Sequence, residues 1–137
     1  MVLHYDLMCA IMKIGKAILK GVTDMNKISI NQAILDELVE GILTIMHDEL
    51  VAIILYGSVA RGSATAESDV DIALIMKNPL TKECEERLND LIVDLDLKYD
   101  KVFSVIDIES GMLQKWMNAV PFYQNLEREG ITLWKAA

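Results

Sequence analysis

Residues 55–76 read LYGSVARGSATAESDVDIALIM, and the fold turns on how this stretch divides. It begins at the end of a short apolar, β-branched run, Val51–Tyr56, the pattern of a strand buried on both faces. It closes on a second run of that kind, Val70–Met76, which Asn78 and Pro79 terminate. Between them, Gly57 to Ser68 is rich in Gly, Ser, Ala and Thr and spells a turn with room for one short helix.

The chemistry sits where these runs end and begin. Gly57 lets the backbone bend and a ligand approach closely. Ser58 offers a hydroxyl and a backbone N–H, the donors that a phosphate oxygen needs. A helix starting just after the turn adds partial positive charge there. Asp69 and Asp71 are two apart on a strand and project from the same face. Two carboxylates about 4 Å apart repel by about 4 kcal/mol at an effective dielectric of about 20. The commonest reason to hold such a pair is a shared cation, above all Mg²⁺. A turn-capping Asp beside a solvated Asp also writes Asp-x-Asp. The joint spacing favours the cation, because ten residues separate Ser58 from Asp69 and each half adjoins a strand.

This arrangement, G-S-x10-D-x-D, resembles that of the DNA polymerase β-like nucleotidyltransferase superfamily. The form G-S-V-A-R-G-S-A-T-A-E-S-D-V-D-I is similar in particular to the minimal nucleotidyltransferases, which carry G-S-x-A-R-G and a short loop ending S-D-x-D. The resemblance implies an α/β fold, a small mixed sheet flanked by helices. It implies that Gly57 and Ser58 hold the β- and γ-phosphates of ATP. Asp69 and Asp71 then bind two Mg²⁺ ions, and AMP moves to a hydroxyl with release of pyrophosphate. Arg61 lies in the motif and either reaches a phosphate or ties down the loop through Glu67 or Asp69. The family's third carboxylate comes from a later strand. Asp100 is the first choice, completing the metal set and helping to deprotonate the incoming hydroxyl. Asp107 has the opposite parity in that strand, and Asp96 in the preceding turn is a third candidate.

Working outward, Ser29 or Asn31 is placed to cap a helix with Ile34, Leu38, Ile42 and Ile45 on one stripe. Thr81 can cap another through about Leu95, ahead of a third strand, Val102–Ile108. Helices around Leu113–Asn118 and Pro121–Glu129 follow. Gly130 then precedes an edge strand, Ile131–Trp134. Trp116, Phe122, Tyr123 and Trp134 read as packing residues of this C-terminal part. Strands alternating with helices point to an α/β sandwich.

Residues 1–24 stand apart from the nucleotidyltransferase domain expected over 25–137. Leu3, Leu7, Ile11, Ile14 and Ile18 repeat at helical spacing up to a stop at Gly21, an amphipathic extension. Met25-Asn26-Lys27 reads equally as a protein start, since codons for Lys20-Gly21-Val22 can spell a purine-rich ribosome-binding sequence. Both readings stay open.

Composition narrows the partners. The 137 residues, 53% hydrophobic and 25% charged, suit one domain with a real core. Twenty-one acids against 13 bases give a net charge of −8, which disfavours broad nucleic-acid binding. Cys9 and Cys84 lack metal-ligand spacing and read as free thiols of a reducing cytoplasm. His4 and His47 lack the neighbours of a zinc site. No apolar run approaches the ~20 residues of a membrane span.

The catalytic half takes up most of the chain, so the acceptor is expected to be small or to belong to a partner. In the minimal family the usual partner is a small helical HEPN protein, the toxin of a toxin–antitoxin pair. The nucleotidyltransferase, as antitoxin, transfers AMP to its tyrosine hydroxyl. The alternatives are an enzyme acting on a small hydroxylated molecule such as an antibiotic, and a non-catalytic nucleotide-binding module.

Overall fold

A computed structural model describes residues 30–137. The expectations for residues 1–24, Met25 and Ser29, including Cys9 and His4, lie outside the described residues.

Asn31 opens α1 (Gln32–Met46), its side-chain oxygen accepting the Ala33 N–H at 2.9 Å. That satisfies one of the donors a helix start cannot pair internally. Ile34, Leu35, Leu38, Ile42 and Met46 recur at helical spacing and are buried. A single 3₁₀ turn, His47–Glu49, leads into β1 (Leu50–Tyr56). α2 (Gly57–Arg61) follows without a break and ends at Gly62 in the left-handed region. Then come β2 (Val70–Met76), α3 (Lys82–Tyr99), β3 (Phe103–Glu109), α4 (Ser110–Trp116), α5 (Pro121–Glu129) and β4 (Ile131–Lys135).

The four strands make one mixed sheet in the order β3-β2-β1-β4. β1 is antiparallel to β2 and β4, whereas β2 and β3 run parallel and are joined by α3. A parallel pair needs such a long crossover. β1 and β2 are central and covered on both faces, which is why their sequences are continuously apolar rather than alternating. Ile53, Leu55, Ile72 and Leu74 pack on one face with Leu35, Leu38 and Ile42 of α1 and Leu88 and Leu95 of α3. Ile54, Ala73, Ile75 and Ile108 pack on the other with Leu113 of α4 and Leu126 of α5. The mixed sheet flanked by helices is the architecture expected from the sequence.

Two expectations need correction. α3 continues to Tyr99 instead of ending near Leu95, because nothing stops it before Asp100 turns left-handed (φ 49°). Its last turn is held by α1, where Glu37 accepts from Lys98 Nζ at 2.8 Å and from the Tyr99 hydroxyl. Trp116 is half-exposed at 37%, with Lys115 Nζ 5.2 Å from its ring centroid, rather than packed inside. Leu113 takes the buried position on α4. Cys84 is a free, half-buried thiol. No described helix is long and apolar enough to cross a membrane.

Candidate active site

The two halves of the motif meet through the pairing of β1 with β2. Tyr56 at the end of β1 is the antiparallel partner of Asp71. The chain therefore leaves the sheet at Gly57 directly beside that carboxylate. Gly57 has φ +74°, and a Cβ there would run into Asp71 Oδ2. Glycine is required twice over, for the left-handed backbone and for the close approach.

Asp69 is exposed at the mouth of β2, and Asp71 is half-buried two residues on. Burial, then the charge of Asp69, pushes the Asp71 carboxyl above the ordinary carboxylate range, while Arg61 acts the other way. These are the marks of two carboxylates near enough to repel with a cationic side chain in range. Burial and the Asp71 charge likewise raise the Tyr56 phenol. A bound cation inverts this balance by favouring the ionised forms.

Ser58 lies in α2, and its carbonyl accepts the Ser63 N–H at 3.0 Å, closing the turn. The loop that returns to Asp69 folds on itself, with Thr65 N–H donating to Ser68 Oγ at 2.9 Å. Arg61 does not pair with Glu67 or Asp69. Its Nη1 lies 3.5 Å from Glu129 Oε2 on α5, a helix that only the tertiary fold brings beside α2.

A cavity of about 220 Å³ opens next to Gly57, lined by Tyr56, Arg61, Phe122, Asn125 and Glu129 among others. Tyr56 and Phe122 meet edge-to-face, their ring centroids 5.4 Å apart. Sequence reasoning missed Tyr56, Asn125 and Glu129 as neighbours of the motif. Only Tyr56 left a signal, being the residue just before Gly57.

The structure thus gathers Gly57, Ser58, Arg61, Asp69 and Asp71 at one end of β1 and β2. None of the three candidates for a third carboxylate joins Asp69 and Asp71 in a group able to hold a metal. Asp100 caps α3, is exposed, and with Glu67, Ser68 and Val102 lines a separate cavity of about 280 Å³. Asp107 is exposed and paired with Leu74, on the other face of the sheet from Asp71. Asp96 is a helical residue whose carboxylate accepts the Phe103 N–H at 2.9 Å. Among the described residues, no three His, Cys, Asp or Glu side chains come together as a group able to hold a metal.

Known proteins share this frame. Residues 41–133 match the family described as polymerase beta, nucleotidyltransferase. The chain is 32% identical over 90 residues to a Methanocaldococcus jannaschii protein named "Putative protein adenylyltransferase MJ0141". That match covers 66% of this chain and 91% of the relative. A second protein of that organism, "Putative protein adenylyltransferase MJ0604", is 32% identical over 98 residues, 72% of this chain and 92% of its own. Among solved structures, the fold is similar to one described as "Crystal structure of the toxin-antitoxin with AMP-PNP". There the TM-score is 0.53 at 22% identity, over 74% of this chain and 73% of that one. The stretch matched by the family model contains the whole Gly57–Asp71 arrangement, and this chain belongs to the polymerase beta nucleotidyltransferase family.

Proposed function

We propose that this chain is a Mg²⁺-dependent protein adenylyltransferase that moves AMP from ATP to a tyrosine hydroxyl of a small helical partner of the HEPN type. The observation that carries the reading is the Asp71 carboxylate set directly against Gly57, whose missing side chain makes room for it at the turn.

The donor set fits the metal. Mg²⁺ is held by one or two carboxylates together with substrate phosphates, and Asp69, just before β2, and Asp71, within it, supply two hard oxygen ligands. When bound, Mg²⁺ neutralises phosphate charge and stabilises the transition state of an in-line displacement. The chain's residues do the rest. Gly57 admits the triphosphate to the backbone, and the Ser58 hydroxyl donates to a phosphate oxygen. Arg61 supplies a cationic side chain on the same side of the site. The acceptor oxygen forms a bond to the α-phosphorus as the bond to pyrophosphate breaks, and the hydroxyl proton passes to solvent or a base.

The names of the two M. jannaschii relatives support a protein as acceptor. The toxin–antitoxin structures of the same fold support a partner. Mass spectrometry of such a partner after incubation with this chain, ATP and Mg²⁺ should show AMP on tyrosine. Asp71→Asn should abolish the mass shift. An unmodified partner, while a small hydroxylated compound consumes ATP, replaces the protein acceptor with a small-molecule one.

A further inference from the structure

The third strand departs from the metal set that the family resemblance implies. β3 runs parallel to β2 with Ser104 level with Asp71, Ile106 with Ala73 and Ile108 with Ile75. Adjacent strands lie about 4.8 Å apart, and residues level with one another share a face. On the Asp71 face, β3 therefore presents Ser104, Ile106 and Ile108. Its acids Asp107 and Glu109 are level with Leu74 and Met76, which pack on the opposite face with α1 and α3. Asp100 is exposed at the end of α3, the Asp96 carboxylate is engaged by Phe103 N–H, and among the described residues no third acidic, His or Cys side chain joins Asp69 and Asp71 in a group able to hold a metal. The β3 position beside Asp71 thus carries a neutral hydroxyl.

Charge decides what such a site can hold. Two Mg²⁺ ions about 3.5–4 Å apart repel about four times as strongly as two unit charges at that distance. A carboxylate offsets that repulsion, whereas a hydroxyl contributes a dipole and no charge. We propose that the chain's own residues hold one divalent cation, the one carried by the triphosphate, and that Ser104 stands where a carboxylate would be needed to hold a second. This deepens the nucleotidyl-transfer reading above and rests on it. It also selects the acceptor class. With no chain-held cation at the entering oxygen, the hydroxyl must ionise readily by itself. A phenol, with pKa about 10, does so far more easily than an aliphatic hydroxyl, which holds its proton much more tightly. Tyrosine is favoured over serine, threonine or sugar hydroxyls.

Electron paramagnetic resonance of Mn²⁺ with the full chain and AMP-PNP counts the protein-bound cations directly. The expected count is one per wild-type chain and two for Ser104→Asp, with Ser104→Glu as a second variant should the aspartate prevent folding. A wild-type count of two, or a count of one in every folded acidic variant, overturns this inference alone. A wild-type count of zero, or one that Asp71→Asn leaves unchanged, overturns the nucleotidyl-transfer site and this inference with it.

Discussion

At Gly57 two demands fall on one residue, a left-handed backbone and contact with Asp71 Oδ2. Gly57→Ala meets the first at a cost of about 1–2 kcal/mol, and the second only if Asp71 moves. The substitution should lower the melting temperature by several degrees and abolish Mg²⁺-dependent ATP binding, as calorimetry of the two properties will show. Full ATP affinity in that variant would remove Gly57 from the phosphate site. Arg61 makes the opposite case. Its ion pair with Glu129 is solvent-exposed at 3.5 Å, a class worth about 0–1 kcal/mol. Arg61→Ala should leave thermal stability nearly unchanged while weakening ATP binding, because it removes the cation that favours ionised Asp71. Equal ATP affinity in titrations of variant and wild type would leave Arg61 as a surface residue only.

Among the elements, α3 does the most positioning. Thr81 starts it by accepting the Cys84 N–H at 3.2 Å, and Asp96 ties its end to β3 through the Phe103 N–H. Because β3 lies parallel to β2, this tie helps to set which β3 residue stands level with Asp71. Asp96→Ala leaves a part-buried N–H without its partner, a loss of about 1–3 kcal/mol. Urea denaturation should register it while Mg²⁺-dependent ATP binding in the folded protein persists. A variant that keeps full stability but cannot bind ATP would make Asp96 a candidate metal ligand again. The same helix ends on a clasp to α1, where Lys98 and Tyr99 hold Glu37. Those hydrogen bonds, from Lys98 first and then Tyr99, lower the Glu37 pKa. A carboxylate lowered on folding adds stability above its unfolded pKa and loses it as pH falls through the folded value. The stability advantage of wild type over Glu37→Gln should therefore be full near neutrality, begin to fall near about pH 4 and vanish in stronger acid, below the lowered folded value. Melting curves across pH check the sign; an advantage growing toward acid would refute the clasp.

Across the whole molecule, the sheet separates the bulk of the core from the chemistry. α1 and α3 cover one face with large aliphatic side chains, and the site opens at the edge of the other, beside α2 and α5. Leu38 is fully buried in the larger cluster. Leu38→Ala should cost about 2–5 kcal/mol through the cavity it leaves. Yet its cluster packs on the sheet face opposite Asp71, so the folded fraction should bind ATP with wild-type affinity. Denaturation and titration of that single variant separate stability from site geometry. Loss of ATP affinity in fully folded protein would mean that the two faces are coupled.

The features that depend on near neighbours along the chain were readable from its residues alone. Asn31 and Thr81 cap helices because their side-chain oxygens reach N–H groups two or three residues on. The runs before Gly57 and after Asp69 are strands because each is apolar and β-branched over a strand's length. That Gly57, Ser58, Asp69 and Asp71 come together at one end of β1 and β2 was legible for the same reason, since a turn and neighbouring strands place them without knowledge of the rest. Three matters were settled only by the tertiary structure: the contact of Asp71 with Gly57, the pairing of Arg61 with Glu129, and the alignment of Ser104 rather than an acid with Asp71. Each joins elements distant along the chain. Their register follows from how α3 and α5 pack on the two faces of the sheet, and no local pattern encodes it. A one-residue shift of β3 would have turned Asp107 toward the face of Asp71, and packing of the aliphatic core decides against that shift.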